Sequence, residues 1–290
     1  MKQTISNALM TVSACTAGAE LCSIQGASGV EYLWQADPSV WPRHAPLLFP
    51  VVGKLANDRY TFQDQSYVLP QHGFGRDMSF ELEAKTDAQI LYRLAATDET
   101  RNCYPFEFVL HVKYELSGSR LEVQYTVSNQ GHGVMPFSIG AHPGFSLSWG
   151  ESDAIEDYYL EFSQPETLDT HHLGDDHLLS GETERVLTNE RHLPISKDLF
   201  QRDALIFIGQ QSDSITLRSH KHPNALTVSF PGFPSLGIWA KPAAPFVCIE
   251  PWYGHADTSG TDGVIMHKPG ILHLAPDAMF TCGYTITVNE

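Results

Sequence analysis

The feature that most constrains this chain is a two-residue alternation of apolar and polar side chains. Residues 108–116 alternate in this way, Ser117, Gly118 and Ser119 then form a turn signal, and residues 121–127 resume the alternation. Successive side chains of a β-strand point to opposite faces of a sheet. The pattern therefore predicts an antiparallel hairpin with one buried face and one wetter face.

Similar short apolar runs recur along the second half of the chain, separated by glycine and proline. They lie at residues 204–208, 214–217, 226–230, 236–240, 246–249 and 284–288. Few windows show a helical period, and the polar stretch 163–202 predicts a loop-rich region. No internal repeat and no Ser/Gly-rich linker divides the chain. We therefore predict an all-β fold, a sandwich or a barrel, in which residues 1–290 form a single domain.

The charge balance restricts the partners that we expect. The chain has 18 Lys and Arg residues against 34 Asp and Glu residues, a net charge of −16 at pH 7. Such an acidic surface repels phosphate backbones and anionic lipid headgroups. We expect neither nucleic acid nor a membrane as a partner, but a small neutral or cationic ligand, bound by a monomer or a homodimer.

The N-terminal segment and the cysteines indicate a cytoplasmic protein. The segment from Val12 to Cys15 resembles a lipoprotein cleavage site, but the residues before it are too polar for a signal peptide. The five cysteines are odd in number, scattered and without a C-x-x-C pair. This usage predicts reduced thiols in the cytoplasm.

Two short segments each present a histidine beside glycine. His72 precedes Gly73 in the first segment, and glycine allows close approach of the backbone to a ligand. His142 precedes Pro143 in the second segment, which holds the histidine in an extended backbone. An imidazole with a reference pKa near 6.5 suits acid–base catalysis. Both segments also fit structural roles, as a glycine turn and as a capped loop histidine.

A third segment places Glu250 at the end of the apolar run 246–249, beside Trp252 and Tyr253. Partial desolvation there would raise the pKa of the carboxyl group and strengthen it as a base. Alternation puts Cys248 and Glu250 on the same face of the strand, and we expect Pro251 to end that strand. A solvated glutamate at a strand end is the structural alternative.

Two histidine-rich segments raise the alternative of a metal-dependent enzyme. Residues 169–177 are dense in Asp and His but lack ordered spacing, which favours a solvated acidic loop. His220 and His222 have the H-x-H spacing of cupin barrels, but no Glu follows between Pro223 and Phe230. Phosphate-loop, metalloprotease, hydrolase and dinucleotide motifs are also absent. We expect neither a metal nor a cofactor.

Five motifs, taken in order, resemble the aldose 1-epimerase (galactose mutarotase-like) family, and within it the LacX-like branch. They lie at residues 48–54, 69–74, 135–145, 203–207 and 248–252, and the resemblance covers almost the whole chain. It implies a large β-supersandwich with a sugar site in a concave cleft. It further implies a metal-free isomerase that interconverts the α and β anomers of a free aldose.

The resemblance also assigns roles to individual residues. Glu250 corresponds to the base of the family and His142 to its acid. His72 corresponds to a second catalytic histidine, which binds the sugar and can assist protonation. Asp203 resembles an Asp that holds sugar hydroxyls. Many members carry an Asn-Arg pair upstream of the position of His72, and the Arg reaches the sugar. Here Lys54 or Arg59 could take that part, and we favour Lys54.

Aromatic side chains near the motifs could form apolar walls against the C–H faces of a sugar. We assign this role to Phe74 and Trp252. Tyr253 is a further candidate, whereas Phe145 and Trp239 are better explained as core residues.

Two other functions fit the same fold. A hexose-6-phosphate mutarotase would need clustered Arg or Lys side chains at the cleft to bind a phosphate, and few basic residues lie near the motifs. A non-catalytic carbohydrate-binding protein would not need a matched acid and base.

Overall fold

The computed structural model describes residues 1–290 and consists almost entirely of β-strands. In chain order the strands are β1 (Lys2–Ser6), β2 (Met10–Cys15), β3 (Leu21–Gly26), β4 (Leu47–Leu48), β5 (Arg59–Phe62), β6 (Gln65–Val68), β7 (Glu81–Lys85), β8 (Gln89–Ala95), β9 (Phe108–Ser117), β10 (Arg120–Asn129), β11 (Met135–Phe137), β12 (Ile139–Ala141), β13 (Gly144–Ser146), β14 (Tyr158–Leu173), β15 (Leu179–Pro194), β16 (Leu205–Ile208), β17 (Ser214–Ser219), β18 (Ala225–Ser229), β19 (Ser235–Trp239), β20 (Phe246–Tyr253), β21 (Leu272–Leu274) and β22 (Met279–Asn289).

The helices are few and short. One α-helix, α1, spans Asp98–Cys103. Four 3₁₀ turns lie at Ala56–Asp58, Gly75–Asp77, Ile155–Asp157 and Ile265–His267. None of these helices has the length and apolar character that crossing a bilayer requires.

Two large antiparallel sheets dominate the fold. The nine-stranded sheet has the order β15-β14-β17-β18-β22-β10-β9-β8-β7, and the six-stranded sheet has the order β16-β19-β20-β12-β4, with β13 also paired to β20. Three smaller sheets are β1-β2-β3, β11-β21 and β5-β6. The prediction of an all-β fold is confirmed.

The two large sheets pack face to face. One cluster of 70 buried residues takes side chains from both of them. Phe49, next to β4, lies 5.2 Å from Phe108 of β9, and Phe162 of β14 lies 6.5 Å from Phe207 of β16, between ring centroids. This shared core makes the molecule a β-sandwich.

The predicted hairpin is present as β9 and β10. Their residues pair without a break from Ser117–Arg120 to Phe108–Asn129, and buried positions alternate with more exposed ones along both strands. The six later runs also form strands, β16 to β20 and β22. Buried and more exposed positions alternate in β9, β10 and β17, whereas β19 and β20 are mostly apolar and are buried at nearly every position.

The prediction of a loop-rich region at residues 163–202 was wrong. Most of that stretch belongs to the long strands β14 and β15, which pair antiparallel at the edge of the nine-stranded sheet. Three of the inward positions of β14 are polar residues, Glu166, Thr170 and His172, and all three are buried. The carboxylate of Glu166 accepts from the Ser212 backbone N–H, and the Thr170 hydroxyl accepts from that of Ile206. Polar residues on the buried face therefore conceal the strand period.

Strand β20 also differs from its prediction, because it continues through Pro251 to Tyr253. On one side Pro251 pairs with Leu236 of β19. On the other side the pairing with β12 includes only positions 252 and 253, so Pro251 lies outside that ladder. A proline lacks only the N–H donor, and no hydrogen bond of the ladder requires that donor here. The strand thus remains intact where it carries Glu250.

Candidate active site

An interruption in the six-stranded sheet brings His142 and Glu250 together. Strands β12 and β13 pair with β20 in one continuous antiparallel register. His142 lies in the two-residue gap between β12 and β13, opposite Glu250 in that register. The Nε2 atom of His142 is 3.3 Å from the Oε2 atom of Glu250. The gap frees the histidine from the ladder while the register keeps it beside the carboxyl group.

Aromatic rings surround the imidazole of His142. The ring of Trp41 stacks on it at 5.1 Å between centroids, and that of Trp239 meets it edge-on at 5.6 Å. Only 12% of the side chain is exposed, and burial lowers the pKa of His142 to about 3. The positive charge of Arg76 acts in the same direction. The neutral imidazole is therefore the favoured form.

Glu250 is more deeply buried, with 1% of its side chain exposed. Burial raises the pKa of its carboxyl group well above the usual range, and the nearby charge of Asp203 raises it further. The Oε2 atom of Glu250 and the Nδ1 atom of His142 are buried without any hydrogen-bond partner. Unpaired buried polar atoms are costly and are frequent at functional sites.

Backbone hydrogen bonds attach the turn that contains His72 to neighbouring segments of the chain. Its N–H donates to the carbonyl of Gly53 at 2.8 Å, and its carbonyl accepts from the N–H of Phe49. The Nδ1 atom of the ring accepts the N–H of Gly53 at 3.1 Å. The ring therefore carries its proton on Nε2. Burial and the neighbouring His142 lower the pKa of His72 well below its usual value, so this neutral form persists.

Trp252 lies between two glycines of the neighbouring strands. A Cβ atom on Gly140 of β12 would be 2.5 Å from the indole, and one on Gly237 of β19 would be 2.4 Å from it. Any other residue at these positions would displace the ring. The indole Nε1 atom is buried without a partner. The two glycines thus hold the indole flat against the sheet, beside Glu250.

These side chains line one cavity of about 270 Å³. Six of the seven predicted site residues contribute to its wall, namely His72, His142, Glu250, Lys54, Asp203 and Trp252. The volume is slightly below the range of typical drug-sized pockets, so it suits a small polar ligand. The structure brings together residues from motifs that are far apart in the sequence.

Lys54 and Asp203 occupy the wall in different ways. The Nζ atom of Lys54 is 2.6 Å from the Oδ1 atom of Asp58, so its charge is already paired. Asp203 has a positive φ of 75° and turns the chain before β16. Its Oδ2 atom is 3.6 Å from the Nδ1 atom of His177, another residue of the wall. Of the two basic residues left open above, Lys54 lines the cavity and Arg59 does not.

Phe74 was wrongly assigned to the wall of the site. It packs in the core against Phe49, Tyr104 and Phe108, and it is absent from the cavity lining. Its apolar ring belongs to the large core cluster between the sheets. Phe145 is a core residue, as expected. Trp239, which we assigned to the core, is instead part of the wall.

Arg76 is the most important wall residue that the sequence did not indicate. Its Nη2 atom donates to the carbonyl of Gln71 at 2.8 Å. Its Nε atom is buried without a hydrogen-bond partner and lies 3.8 Å from the Oδ2 atom of Asp77. Trp41, Gln71 and His177 were also missed. The one signal for Arg76 is its position at the end of the segment that contains His72. Nothing local marks Trp41, because only tertiary packing brings it to His142.

The histidine-rich segments do not form a metal cluster. Residues 169–173 belong to β14 and the remainder to the hairpin turn, so the predicted acidic loop is only partly a loop. His220 stacks on Tyr159, whereas His222 bonds to Asp153 at 2.8 Å, so the two histidines have different partners.

Comparisons with known proteins identify the family and the fold. Residues 1–264 match the family described as aldose 1-epimerase. The chain is 34% identical to chromosomal protein LacX of Lactococcus lactis subsp. lactis, over 98% of each chain. Its fold is similar to that of a galactose mutarotase related enzyme from Lactobacillus acidophilus, with a TM-score of 0.95, 37% identity and coverage of 100% of this chain and 98% of the other.

A second solved structure, a galactose mutarotase-like protein from Lactobacillus casei, has a TM-score of 0.94 and 31% identity, with full coverage of both chains. The agreement extends over the nine-stranded sheet as well as the strands that hold the site. The chain belongs to the aldose 1-epimerase family.

Proposed function

We propose that this protein is a mutarotase, which interconverts the α and β anomers of a free aldose by opening and closing its ring. The observation that carries the proposal is the His142–Glu250 pair at the cavity wall. Its Nε2 and Oε2 atoms are 3.3 Å apart and make no hydrogen bond with each other. Anomerisation needs a base at the C1 hydroxyl and an acid at the ring oxygen, two oxygens that are attached to the same carbon. The short distance between the two side chains allows both to reach these neighbouring oxygens.

The reaction then proceeds by two coupled proton transfers. Glu250 accepts the proton of the C1 hydroxyl while His142 delivers a proton to the ring oxygen, and the bond between C1 and the ring oxygen breaks. The aldehyde rotates about the C1–C2 bond and closes on its other face, with the two roles reversed. A positioned acid and base contribute roughly 10²–10⁴-fold for each such transfer.

The pKa shifts of His142 and Glu250 describe the resting state of the pair. Burial raises the pKa of Glu250 and lowers that of His142, so one exchangeable proton rests on the carboxyl group. A sugar hydroxyl that donates to Glu250 favours the charged carboxylate, because hydrogen bonding to the charged form lowers a pKa. The bound sugar therefore shifts the shared proton toward His142, and the pair titrates as a unit.

The remaining wall residues orient the ring. His72 donates from Nε2 to a sugar oxygen, because Nδ1 is occupied by the N–H of Gly53. Asp203 accepts sugar hydroxyls. Arg76 takes the part that we had assigned to Lys54, because its Nε donor makes no hydrogen bond and lies 3.8 Å from Asp77, whereas the Lys54 ammonium is bound to Asp58 at 2.6 Å. The indole of Trp252 packs against a C–H face.

The charges at the cavity favour a neutral sugar. Both basic side chains of the wall have a carboxylate nearby, because Lys54 Nζ is 2.6 Å from Asp58 Oδ1 and Arg76 Nε is 3.8 Å from Asp77 Oδ2. Asp203 adds a further negative charge to the wall. A phosphate dianion needs a surplus of cationic donors. A hexose 6-phosphate is the second candidate substrate, and the free Nε donor of Arg76 is the observation that favours it.

Magnetisation-exchange NMR of anomer interconversion, over a panel of free and phosphorylated aldoses, tests the proposal. We expect catalysis for at least one free aldose, with kcat/KM above that for glucose 6-phosphate. Protein with the Glu250→Gln substitution, purified identically, controls for a co-purifying mutarotase. A higher kcat/KM for the phosphate would favour the second candidate. Saturable sugar binding without catalysis would identify a carbohydrate-binding protein and refute the enzyme.

A further inference from the structure

A third side chain lies beside the His142–Glu250 pair and has no part in the proposed reaction. Cys248 is two residues before Glu250 on β20, so the two side chains share one face of the strand. One ligating atom each from His142, Cys248 and Glu250 lies within 4.8 Å of the other two. Cys248 is a free thiol with no solvent exposure. Two of the three residues, His142 and Glu250, line the cavity, and Cys248 lies next to them.

The spacing of the histidine and the carboxylate matches that of two metal ligands. The Nε2 and Oε2 atoms are 3.3 Å apart, yet Oε2 makes no hydrogen bond. Two ligand atoms bound to a tetrahedral zinc at about 2.05 Å are separated by about 3.3 Å. A sulfur ligand at about 2.3 Å from the zinc would lie about 3.6 Å from either of the other two ligand atoms. The cluster places the Cys248 sulfur within 4.8 Å of both.

The donor set also selects the kind of ion. A thiolate, an imidazole and a carboxylate suit a borderline-soft cation with tetrahedral preference, whereas Mg²⁺ and Ca²⁺ require oxygen ligands. Zinc sites with three protein ligands keep a fourth position open. Here that position faces the cavity, because His142 and Glu250 both line it.

We propose that His142, Cys248 and Glu250 form a binding site for one Zn²⁺ ion, and that this ion blocks the acid–base pair. Binding replaces the thiol S–H bond by a Zn–S bond and releases that proton to solvent, together with any proton held by the carboxyl group. With both groups ligated, neither can exchange a proton with a sugar. Zinc binding rests on the geometry alone, whereas inhibition rests also on the proposed mutarotase function.

Titration of the chelator-stripped, full-length protein with ZnCl₂ in a calorimeter tests the site. We expect one ion per chain and no binding of Mg²⁺ or Ca²⁺. Co²⁺ in place of Zn²⁺ should show a thiolate-to-metal charge-transfer band in the near ultraviolet. A cobalt complex without that band would overturn the proposal, because it would exclude Cys248 as a ligand.

Matched cysteine variants locate the site. Cys248→Ser should weaken zinc binding at least tenfold and abolish the charge-transfer band. Cys282→Ser, at a buried thiol on β22 outside the cluster, should leave both unchanged. Unchanged zinc affinity in Cys248→Ser would place the ion elsewhere, for example at surface histidines, and would refute the site. If Cys248→Ser does not fold, His142→Asn should show the same tenfold loss of affinity.

Inhibition is then measured by anomer exchange. One equivalent of Zn²⁺ should abolish turnover, excess EDTA should restore it, and Cys248→Ser should retain turnover at zinc concentrations tenfold higher. Full turnover by the zinc-loaded protein would refute the inhibition. Stoichiometric zinc binding by a protein that turns over no aldose would refute the proposed function and leave the zinc site standing.

Discussion

The nine-stranded and the six-stranded sheets each hold a histidine–glutamate pair, but in different surroundings. The Nε2 atom of His111 is 3.1 Å from the Oε2 atom of Glu83, and these side chains are 27% and 39% exposed. The corresponding distance between His142 and Glu250 is 3.3 Å, with exposures of 12% and 1%. Solvent screens the first pair, whereas the second is desolvated and its pKa values shift. Burial, rather than the residue types, makes one pair suitable for catalysis.

The strands around the two pairs also differ in regularity. Strands β9 and β10 form an unbroken ladder, whereas β12 and β13 are separated by the gap that holds His142. Seven buried side-chain polar atoms lack a hydrogen-bond partner, and none is on a strand of the nine-stranded sheet. Four of them belong to the cavity residues Arg76, His142, Glu250 and Trp252. A regular sheet satisfies its polar groups, and the interrupted one leaves donors and acceptors for a ligand.

The largest expected effect is the loss of turnover on removing the buried carboxylate. Glu250→Gln should lower kcat by roughly 10² or more, because the amide cannot accept the C1 proton. Glu83→Gln, in the exposed pair, should leave kcat unchanged. Because the pKa of Glu250 is raised, the acid limb of kcat/KM in the unsubstituted protein should lie above the range of ordinary carboxyl groups.

Anomer-exchange kinetics of both variants across the pH range check this contrast. Circular dichroism confirms that each variant is folded. Equal turnover in Glu250→Gln and the unsubstituted protein would remove the functional difference between the two pairs.

The next effect concerns the glycines that hold Trp252. Gly140→Ala should destabilise the fold by about 2 kcal/mol, because its Cβ atom would be 2.5 Å from the indole. Gly133 lies after β10, and a Cβ atom there would have no other heavy atom within 4 Å. Gly133→Ala should therefore change the stability by less than about 0.5 kcal/mol. Urea denaturation measures both variants. Similar stability of the two would contradict the tight fit of the ring.

A smaller effect is expected from the free guanidinium donor. Arg76→Gln should raise KM for the preferred aldose roughly tenfold, as expected for one lost hydrogen bond to a charged group. Arg59→Gln, outside the cavity, should leave KM unchanged and serves as the control. Initial-rate kinetics measure KM for both variants. A larger increase of KM in Arg59→Gln than in Arg76→Gln would assign sugar binding to Arg59 instead.

The smallest effect is a gain in stability. Because the folded pKa of Glu250 is above its unfolded value, its contribution to stability is complete below the unfolded pKa and is lost as the pH rises through the folded pKa. Glu250→Gln mimics the neutral acid and should be more stable than the unsubstituted protein at pH 8. The difference should vanish near pH 4.

Thermal unfolding at several pH values measures this gain, with Glu83→Gln as the exposed control. A loss of stability in Glu250→Gln at pH 8 would show that the charged carboxylate is stabilised in the fold, contrary to its burial without a partner.

Much of the fold follows from the sequence wherever inward positions are apolar. The hairpin of β9 and β10 is of this kind. The edge hairpin of β14 and β15 is not, because Glu166 and Thr170 face inward and are satisfied by backbone donors of distant residues. Those bonds exist only in the folded chain, so no local pattern reveals them.

The sequence by itself determined the all-β class, through the period of two, and the residue types of the site, through the motifs of His72, His142 and Glu250. The tertiary structure decided which groups meet and in which protonation state. It placed Arg76 rather than Arg59 at the cavity, put Phe74 in the core, and enclosed His142 between Trp41 and Trp239. The physical reason is that strand period is a local property, whereas desolvation and ligand geometry depend on neighbours that only the folded sheets bring together.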